Sequence, residues 1–194
     1  IRYTTSHPID FSEDLISAHG NFEKLMPLIH LPVQSGSSQI LGKMNRKHNI
    51  DYYLNLIEKL KKTNSLIKFS SDFIIGYPGE TSDDFQKTIK LMEDIKFINS
   101  YSFIFSARPG TPSFNLKQID REEAKKRLFY FQDVAEKIKT EYRKNLINKS
   151  SLVLFENKTK NPNEYFGRDE YFNSVIVQSN ECLIGKIEVV KISK

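Results

Sequence analysis

Polar side chains that can bind a ligand follow several strand-like runs of this chain, at the point where each run ends. Gln34 and Ser35 follow one run, Asp72 lies just before Gly76 in another, and Arg108 closes a third. An amide, a hydroxyl, a carboxylate and a guanidinium suit hydrogen bonds to ribose hydroxyls, an amino-acid group or a phosphate. Neither a Ser/His/Asp triad nor a pair of carboxylates for acid and base chemistry can be singled out. The pattern therefore predicts binding and assigns no catalytic residue.

The stretch from Lys68 to Thr81 predicts a buried strand, a sharp turn and the start of a helix. Phe73–Ile75 provide apolar strand residues, Gly76 permits close approach of backbone or ligand, and Thr81 is the expected N-cap. If the strand alternates, Asp72 points away from the apolar face and needs a donor from the protein or a ligand. The stretch lacks the G-x-G-x-x-G fingerprint, and the acidic residues at the helix start disfavour phosphate there.

Each candidate also has a purely structural interpretation. Gln34 and Ser35 fit an ordinary turn whose serines cap a helix, and Arg46 fits a solvated cation at a helix end instead of a clamp for a carboxylate or phosphate. Asp72 could hold backbone or a serine, and Arg108 could tie its own loop carbonyls instead of an RNA phosphate. The residues alone leave these alternatives open.

Composition excludes several classes of site and protein. The chain has 194 residues, 39% of them hydrophobic, and a net charge of +5 that tilts weakly toward polyanions. The single cysteine, Cys182, excludes an intrachain disulfide and a cysteine-ligated cluster held by this chain alone, and we expect it to be buried. His7 and His30 favour hydrogen-bonded packing over metal binding, so no metal ligand is predicted. No apolar run is long enough for a membrane helix, which favours a cytoplasmic protein, and we expect a monomer.

The order of elements predicts an α/β fold with parallel strands. Strand-like runs near residues 1–6, 28–34, 67–76 and 100–107 are each followed by turn residues and helical periodicity. The alternate positions of these runs carry polar residues, which predicts a ligand-filled half-barrel or crevice. These polar residues are Arg2, Thr4, Ser6, His30, Gln34, Ser70, Asp72, Ser102, Ser106 and Arg108.

A change of pattern divides the chain into two predicted domains. A helix of about 25 residues is expected after Asp120, which resembles a capping-box residue. Short strand-like runs separated by Asn, Lys and Gly follow it and predict a small antiparallel β module. We therefore expect an α/β domain over residues 1–147 and a β module over 148–194. Because Ile1 already lies in a strand-like run, the chain is expected to begin inside a domain of a longer protein.

Five segments together resemble the methylthiotransferase family of radical S-adenosylmethionine (SAM) enzymes. They are Thr4–Pro8, His30–Ser37, Met44–Arg46, Asp72–Thr81 and Tyr101–Pro112. The resemblance runs in order over essentially the whole chain and is strongest to the branch that modifies isopentenyladenosine in tRNA. The branches that modify threonylcarbamoyladenosine or a ribosomal protein remain alternatives. The C-terminal β module resembles the TRAM domain of this family.

The resemblance implies a partial TIM-like barrel that binds SAM beside a 4Fe-4S cluster, which cleaves SAM to a deoxyadenosyl radical. Family members hold that cluster on a C-x-x-x-C-x-x-C loop and a second cluster on an N-terminal domain, and this chain contains neither motif. The chain is therefore expected to be the second half of the barrel plus most of a TRAM domain. The N-terminal half of the same protein would supply the clusters, and this chain alone would be inactive.

The same resemblance assigns the cofactor-binding candidates. It implies that Gln34, Ser35 and Arg46 contact the ribose and methionine ends of SAM, and that Asp72 and Gly76 lie on its adenosyl side.

The implied partner is the anticodon arm of tRNA, which Tyr101, Arg108 and the β module would face. A non-catalytic RNA-binding or scaffold module is the alternative function.

Overall fold

A three-stranded parallel sheet and a four-stranded antiparallel sheet follow one another in the computed structural model, which describes residues 1–5 and 7–193. The strands are β1 (Leu28–His30), β2 (Lys68–Ile75), β3 (Asn99–Ile104), β4 (Ser150–Lys158), β5 (Glu164–Asp169), β6 (Ser174–Gln178) and β7 (Ile187–Lys191). The α-helices are α1 (Glu13–Asn21), α2 (Ser38–Lys43), α3 (Ile50–Thr63), α4 (Ser82–Ile95) and α5 (Arg121–Lys144). Short 3-10 helices cover Pro8–Asp10 and Pro112–Asn115.

The parallel sheet has the order β1-β2-β3 and is covered by helices on one face. Its covered face contributes Phe69, Phe73 and Ile75, which join apolar side chains of α3, α4 and α5 in one core. Phe73 is fully buried, and its ring lies 4.7 Å from the ring of Phe131 in α5. The predicted serial βα units and parallel pairing are confirmed.

The predicted strand over residues 1–6 is wrong as a strand. Within residues 1–5 and 7–193, the first segment makes a single parallel bridge, between Thr4 and His30. Arg2 instead reaches the antiparallel sheet, where it donates to the Asp169 and Glu170 carbonyl oxygens at 3.3 and 3.1 Å. The segment thus runs beside β1 without forming a ladder. Ser6, part of the predicted polar face, lies outside the described residues.

Polar alternation is correct on β2 and wrong on β3. Ser70 pairs with His30, and Asp72 pairs with Tyr101, so these residues share the face without helices. Ser102, which was expected on the polar face, pairs instead with buried Phe73 and lies 3.4 Å from the Gln132 amide of α5. The β3 register therefore places aromatic Tyr101, and not serines, beside Asp72.

Helix boundaries agree closely with the local signals. Thr81 caps α4 in a reciprocal capping box with Asp84. Asp120 caps α5 by accepting from the amides of Glu122 and Glu123, and the helix is 24 residues long. No described helix is both long and apolar enough to cross a membrane.

The antiparallel sheet has the order β6-β5-β4-β7 around a small core that includes Val153, Phe155 and Tyr165. Cys182, expected to be buried, is exposed, whereas the next residue of the same loop, Leu183, packs into this core. Tyr171, in the turn between β5 and β6, contacts the segment that precedes β2 of the parallel sheet: its hydroxyl donates to the Leu66 carbonyl at 3.0 Å.

Candidate functional site

A polar cluster lies on the face of the parallel sheet that carries no helix. The His30 Nε2 is 3.4 Å from a carboxylate oxygen of Asp72, and its Nδ1 is 3.0 Å from the Ser70 hydroxyl. The ring of Tyr101 meets the His30 ring edge-to-face at 6.3 Å. Asp72 keeps about a third of its side chain exposed, at 32%. A histidine with two polar partners therefore orients a carboxylate that remains open to a ligand.

Arg46 brings a positive charge toward this carboxylate. It follows Asn45, whose φ of 57° turns the chain at the end of α2, and its amide donates to the Leu41 carbonyl at 2.9 Å. Burial lowers the pKa of Arg46, and the negative charge of Asp72 opposes that decrease. A half-buried guanidinium near a partly exposed carboxylate forms a site with both signs of charge.

Gln34 extends the parallel sheet beyond β1 in an irregular conformation. Its amide donates to the Asp72 carbonyl at 3.0 Å, and its carbonyl accepts from Ile74 at 2.9 Å. Gln34 has a φ of 77° and pairs with Phe73. Because His30 pairs with Ser70, this segment advances by four residues between the two pairings while β2 advances by three. The predicted alternation of His30 and Gln34 on one face is therefore broken by this extra residue.

The turn after β2 is closed by a buried ion pair. Glu80 is 4% exposed, and its Oε2 accepts from the Gly76 amide at 3.0 Å and from Arg127 Nη1 at 2.9 Å. Burial raises the pKa of Glu80, while Arg127 and the Gly76 amide offset part of that increase. Gly76 has a φ of 77°, and a Cβ there would lie 3.1 Å from the Ala124 Cβ. The sequence interpretation treated Glu80 only as a negative charge at a helix start.

Comparison with known sequences identifies the family. The sequence model of the Radical SAM superfamily matches residues 2–92. The chain is 54% identical over 192 residues to the tRNA-2-methylthio-N(6)-dimethylallyladenosine synthase of Pelagibacter ubique, covering 99% of this chain and 43% of that protein. It is 46% identical over 196 residues to the synthase of the same name from Ehrlichia ruminantium, covering 100% and 44%. The chain belongs to the radical SAM methylthiotransferase family. It spans less than half the length of these relatives.

The fold has a solved neighbour in the same superfamily. Coproporphyrinogen III oxidase of Escherichia coli, described as a radical SAM enzyme, superposes with a TM-score of 0.56 over 84% of this chain and 45% of that chain. At 12% identity, this likeness supports the fold alone.

Ser35 lies in a buried hydrogen-bond network. Its side chain is fully buried, its Oγ is 3.4 Å from the Thr88 hydroxyl and it accepts from the Ser37 amide at 3.2 Å. Ser37 in turn caps α2 and donates to Asp84 at 2.6 Å. These contacts agree with the structural interpretation of the loop, while the SAM contact of Ser35 stays a prediction.

The two residues that the sequence resemblance assigns to RNA contact are both exposed. Tyr101 is 55% exposed on the helix-free face, and Arg108 is exposed in the turn after β3. The hydroxyl of Thr111 donates to the Arg108 carbonyl at 2.7 Å, so threonine ties this turn. No hydrogen bond from the Arg108 guanidinium is found to any described residue.

His48 is a buried residue that sequence reasoning did not select. It is 6% exposed, and neither ring nitrogen has a hydrogen-bond partner among the described residues. Its ring meets His7 edge-to-face at 4.9 Å, and burial, with the nearby His7 and Arg46, lowers its pKa to about 4. His7 accepts from the Ile9 amide at 3.2 Å, as expected for a hydrogen-bonded histidine. No sequence signal marked His48, because it stands in a polar run.

The residues at this edge fit one of the cofactors that the family uses, and not the other. SAM carries a carboxylate and ribose hydroxyls, which match the half-buried Arg46 and the partly exposed Asp72. An iron-sulfur cluster needs several thiolates, whereas the sequence contains only Cys182, in the antiparallel unit. The described residues contain no group of three or more potential metal ligands.

Proposed function

We propose that the protein containing this chain is a tRNA methylthiotransferase that modifies isopentenyladenosine next to the anticodon. The observation that carries the proposal is the Arg46–Asp72–His30 cluster on the helix-free face of the parallel sheet, in a chain 54% identical to a synthase named for this modification. In open parallel sheets, ligands bind near the carboxyl ends of the strands. His30 is the last residue of β1, and Asp72 lies three residues before the end of β2.

We assign the SAM contacts to residues of this edge. Arg46 binds the methionine carboxylate through charge-assisted hydrogen bonds, and the side-chain amide of Gln34 forms a hydrogen bond with the ribose end. Asp72, oriented by His30, accepts from a hydroxyl of the adenosyl group, and Gly76 allows close approach. Bound beside an iron-sulfur cluster that donates one electron, SAM would supply a deoxyadenosyl radical and release methionine. Because Ser35 is fully buried, we expect it to shape the loop and to make the weakest SAM contact of the set.

We assign the RNA contacts to Tyr101, Arg108 and the antiparallel sheet. Tyr101 offers an exposed aromatic face for stacking on a base, and Arg108 offers a free guanidinium for a phosphate. The sheet over residues 148–194 is proposed to be a TRAM-like RNA-binding domain, separate from the α/β domain over 1–147. The boundary coincides with the short segment between α5 and β4.

Calorimetric titration with SAM tests the cofactor assignment. Arg46→Gln removes a charge-assisted contact of about 1.5 to 3 kcal/mol, so SAM affinity should fall by roughly 10- to 100-fold. Gln34→Ala should reduce it by roughly tenfold or less, because a neutral contact is lost. Arg108→Gln is the matched control, since it removes the same charge from a residue assigned to RNA. Unchanged SAM affinity in both the Arg46 and Gln34 variants would remove them from the site.

A non-catalytic RNA-binding module is the second candidate, favoured by the net charge of +5 and the exposed Tyr101. Anaerobic reconstitution with iron and sulfide, followed by SAM titration, separates the two functions. A protein that binds RNA but neither SAM nor a cluster would support the module over the enzyme.

A further inference from the structure

Basic residues lie close together at the amino-terminal ends of the parallel strands, the edge of the sheet away from the candidate SAM site. In βα units each helix ends where the next strand begins, so the basic last turns of these helices come to one edge. The last turn of α3 carries Lys61 and Lys62, β2 begins with Lys68, and Lys96 follows α4. Helix α5 ends with Arg143 and Lys144, and the residue that follows, Asn145, lies at the same edge.

Three of these lysines, Lys61, Lys68 and Lys96, line a cavity of about 280 Å³ at this edge. Its wall includes Lys61 and Lys68 together with the apolar side chains of Phe69 and Ile138. The Lys61 ammonium lies 5.9 Å from the centre of the Phe69 ring, which keeps it at the cavity. The amide of Asn145 adds a neutral polar group to the wall. Ammonium groups and an amide around a small cavity can bind an anion of phosphate size.

The carboxylates at the cavity are committed to other lysines. Asp94 accepts from Lys90 at 2.9 Å, and Glu141 lies 4.0 Å from Lys96. Among residues 1–5 and 7–193, no carboxylate lies within 4.0 Å of the Lys61 or Lys68 ammonium. The cavity therefore holds two positive charges without a close protein counter-ion.

Interaction with helix dipoles accounts for only part of this arrangement. A lysine in the last turn of a helix is stabilised by the helix dipole, and Lys62, paired with Glu58, already occupies that position in α3. Lys61 differs, because burial and the nearby charge of Lys68 lower its pKa. Two like charges that repel each other at a cavity are stabilised when an anion enters.

We propose that this cavity binds a backbone phosphate of the RNA substrate. The proposal rests on the proposed function for the identity of the partner, and it places a second RNA contact away from Tyr101 and Arg108. Lys68 precedes Asp72 by four residues on β2, so these two residues are about 13 Å apart along the strand at roughly 3.3 Å per residue. An RNA that contacts both sites would therefore extend along the sheet to the amino-terminal end of β2, and would not contact the carboxyl end alone.

Salt-dependent RNA binding tests the proposal. Fluorescence anisotropy with a labelled anticodon-arm hairpin, over a series of KCl concentrations, gives the slope of log affinity against log salt. Lys61→Gln/Lys68→Gln should reduce that slope by about 0.7 to 0.9, the value for one phosphate contact, and weaken affinity severalfold. The matched control is Lys125→Gln/Lys137→Gln, which removes the same charge from lysines paired with Glu122 and Asp133. It should retain the wild-type slope.

Each outcome decides between the cavity and the proposed function. Equal slopes for the wild type and the Lys61/Lys68 variant would overturn the cavity assignment while the RNA partner stands. Absence of wild-type RNA binding would refute the RNA partner of the proposed function, and the cavity assignment with it. Thermal stabilisation by inorganic phosphate that depends on both lysines, without any change in RNA slope, would identify a free-phosphate site instead. Melting by circular dichroism confirms folding, and Lys68→Gln alone replaces a double variant that does not fold.

Discussion

Removing the Glu80 carboxylate should strongly destabilise the fold, because it is the buried anchor of the turn after β2. Its side chain has no exposed surface, and it accepts from Arg127 Nη1 at 2.9 Å and from the Gly76 amide at 3.0 Å. Breaking a buried ion pair by deleting one partner costs about 3 to 5 kcal/mol. Arg127 keeps a second carboxylate, Glu123 at 2.9 Å, which reduces the loss. We therefore expect Glu80→Ala to lower the free energy of unfolding by about 2 to 3 kcal/mol.

Urea denaturation followed by circular dichroism measures this loss. Glu136→Ala is the control, since Glu136 is exposed on α5 and its pair with Lys139 is 3.6 Å long. It should leave the midpoint nearly unchanged. The double variant Glu80→Ala/Arg127→Met should lose less than the sum of its single variants, because no charge remains buried without a partner. A loss below about 1 kcal/mol for Glu80→Ala, or strict additivity in the double variant, would contradict the role of the pair.

Two further predictions concern the residues around the candidate SAM edge. Gly36→Ala should destabilise the protein by about 2 kcal/mol or more in the same denaturation assay, because its Cβ would lie 2.4 Å from the Lys87 carbonyl oxygen. Gly42→Ala, with no atom within 4 Å of its Cβ, is the control and should be neutral or stabilising. His48, with its pKa lowered to about 4, should make stability fall as pH decreases below about 6.5 toward 4, since the unfolded chain takes up the proton first. The unfolding free energy of the wild type should drop by about 2 kcal/mol more than that of His48→Gln between pH 7 and pH 4.5, and equal drops would refute the assignment.

Local chemistry in the sequence was enough to place most elements of the parallel unit. Thr81 with Asp84 marks the start of α4, and Asp120 marks the start of α5, because capping depends on groups within three residues. The alternation of β2 also predicted that Asp72 points away from the core, which the pairing with exposed Tyr101 confirms. The β3 face was wrong, because one-residue register is set by pairing with β2 and not by β3 itself.

The side-chain network of the site depends on contacts that are distant in sequence. Arg127 reaches Glu80 across 47 residues, so no local pattern shows that Glu80 is neutralised. His48 is buried because the rings of His7 and Tyr53 pack near it, at 4.9 and 6.3 Å, although its own sequence neighbours are polar. The buried state of Ser35 likewise follows from the approach of α4, which Gly36 permits.

Helix α5 therefore positions both edges of the parallel sheet. Its first half holds the turn after β2, through Arg127 on Glu80 and through Ala124 against Gly76. Its second half contributes Ile138 and Glu141 to the cavity at the opposite edge. Phe131, fully buried between these halves, packs on Phe73 in the middle of β2. Because well-packed interiors deform little, the cofactor edge and the cavity edge are held at a fixed separation by one helix and one strand. The proposed function requires such a fixed separation, because it assigns SAM to one of these edges and a phosphate of the RNA to the other.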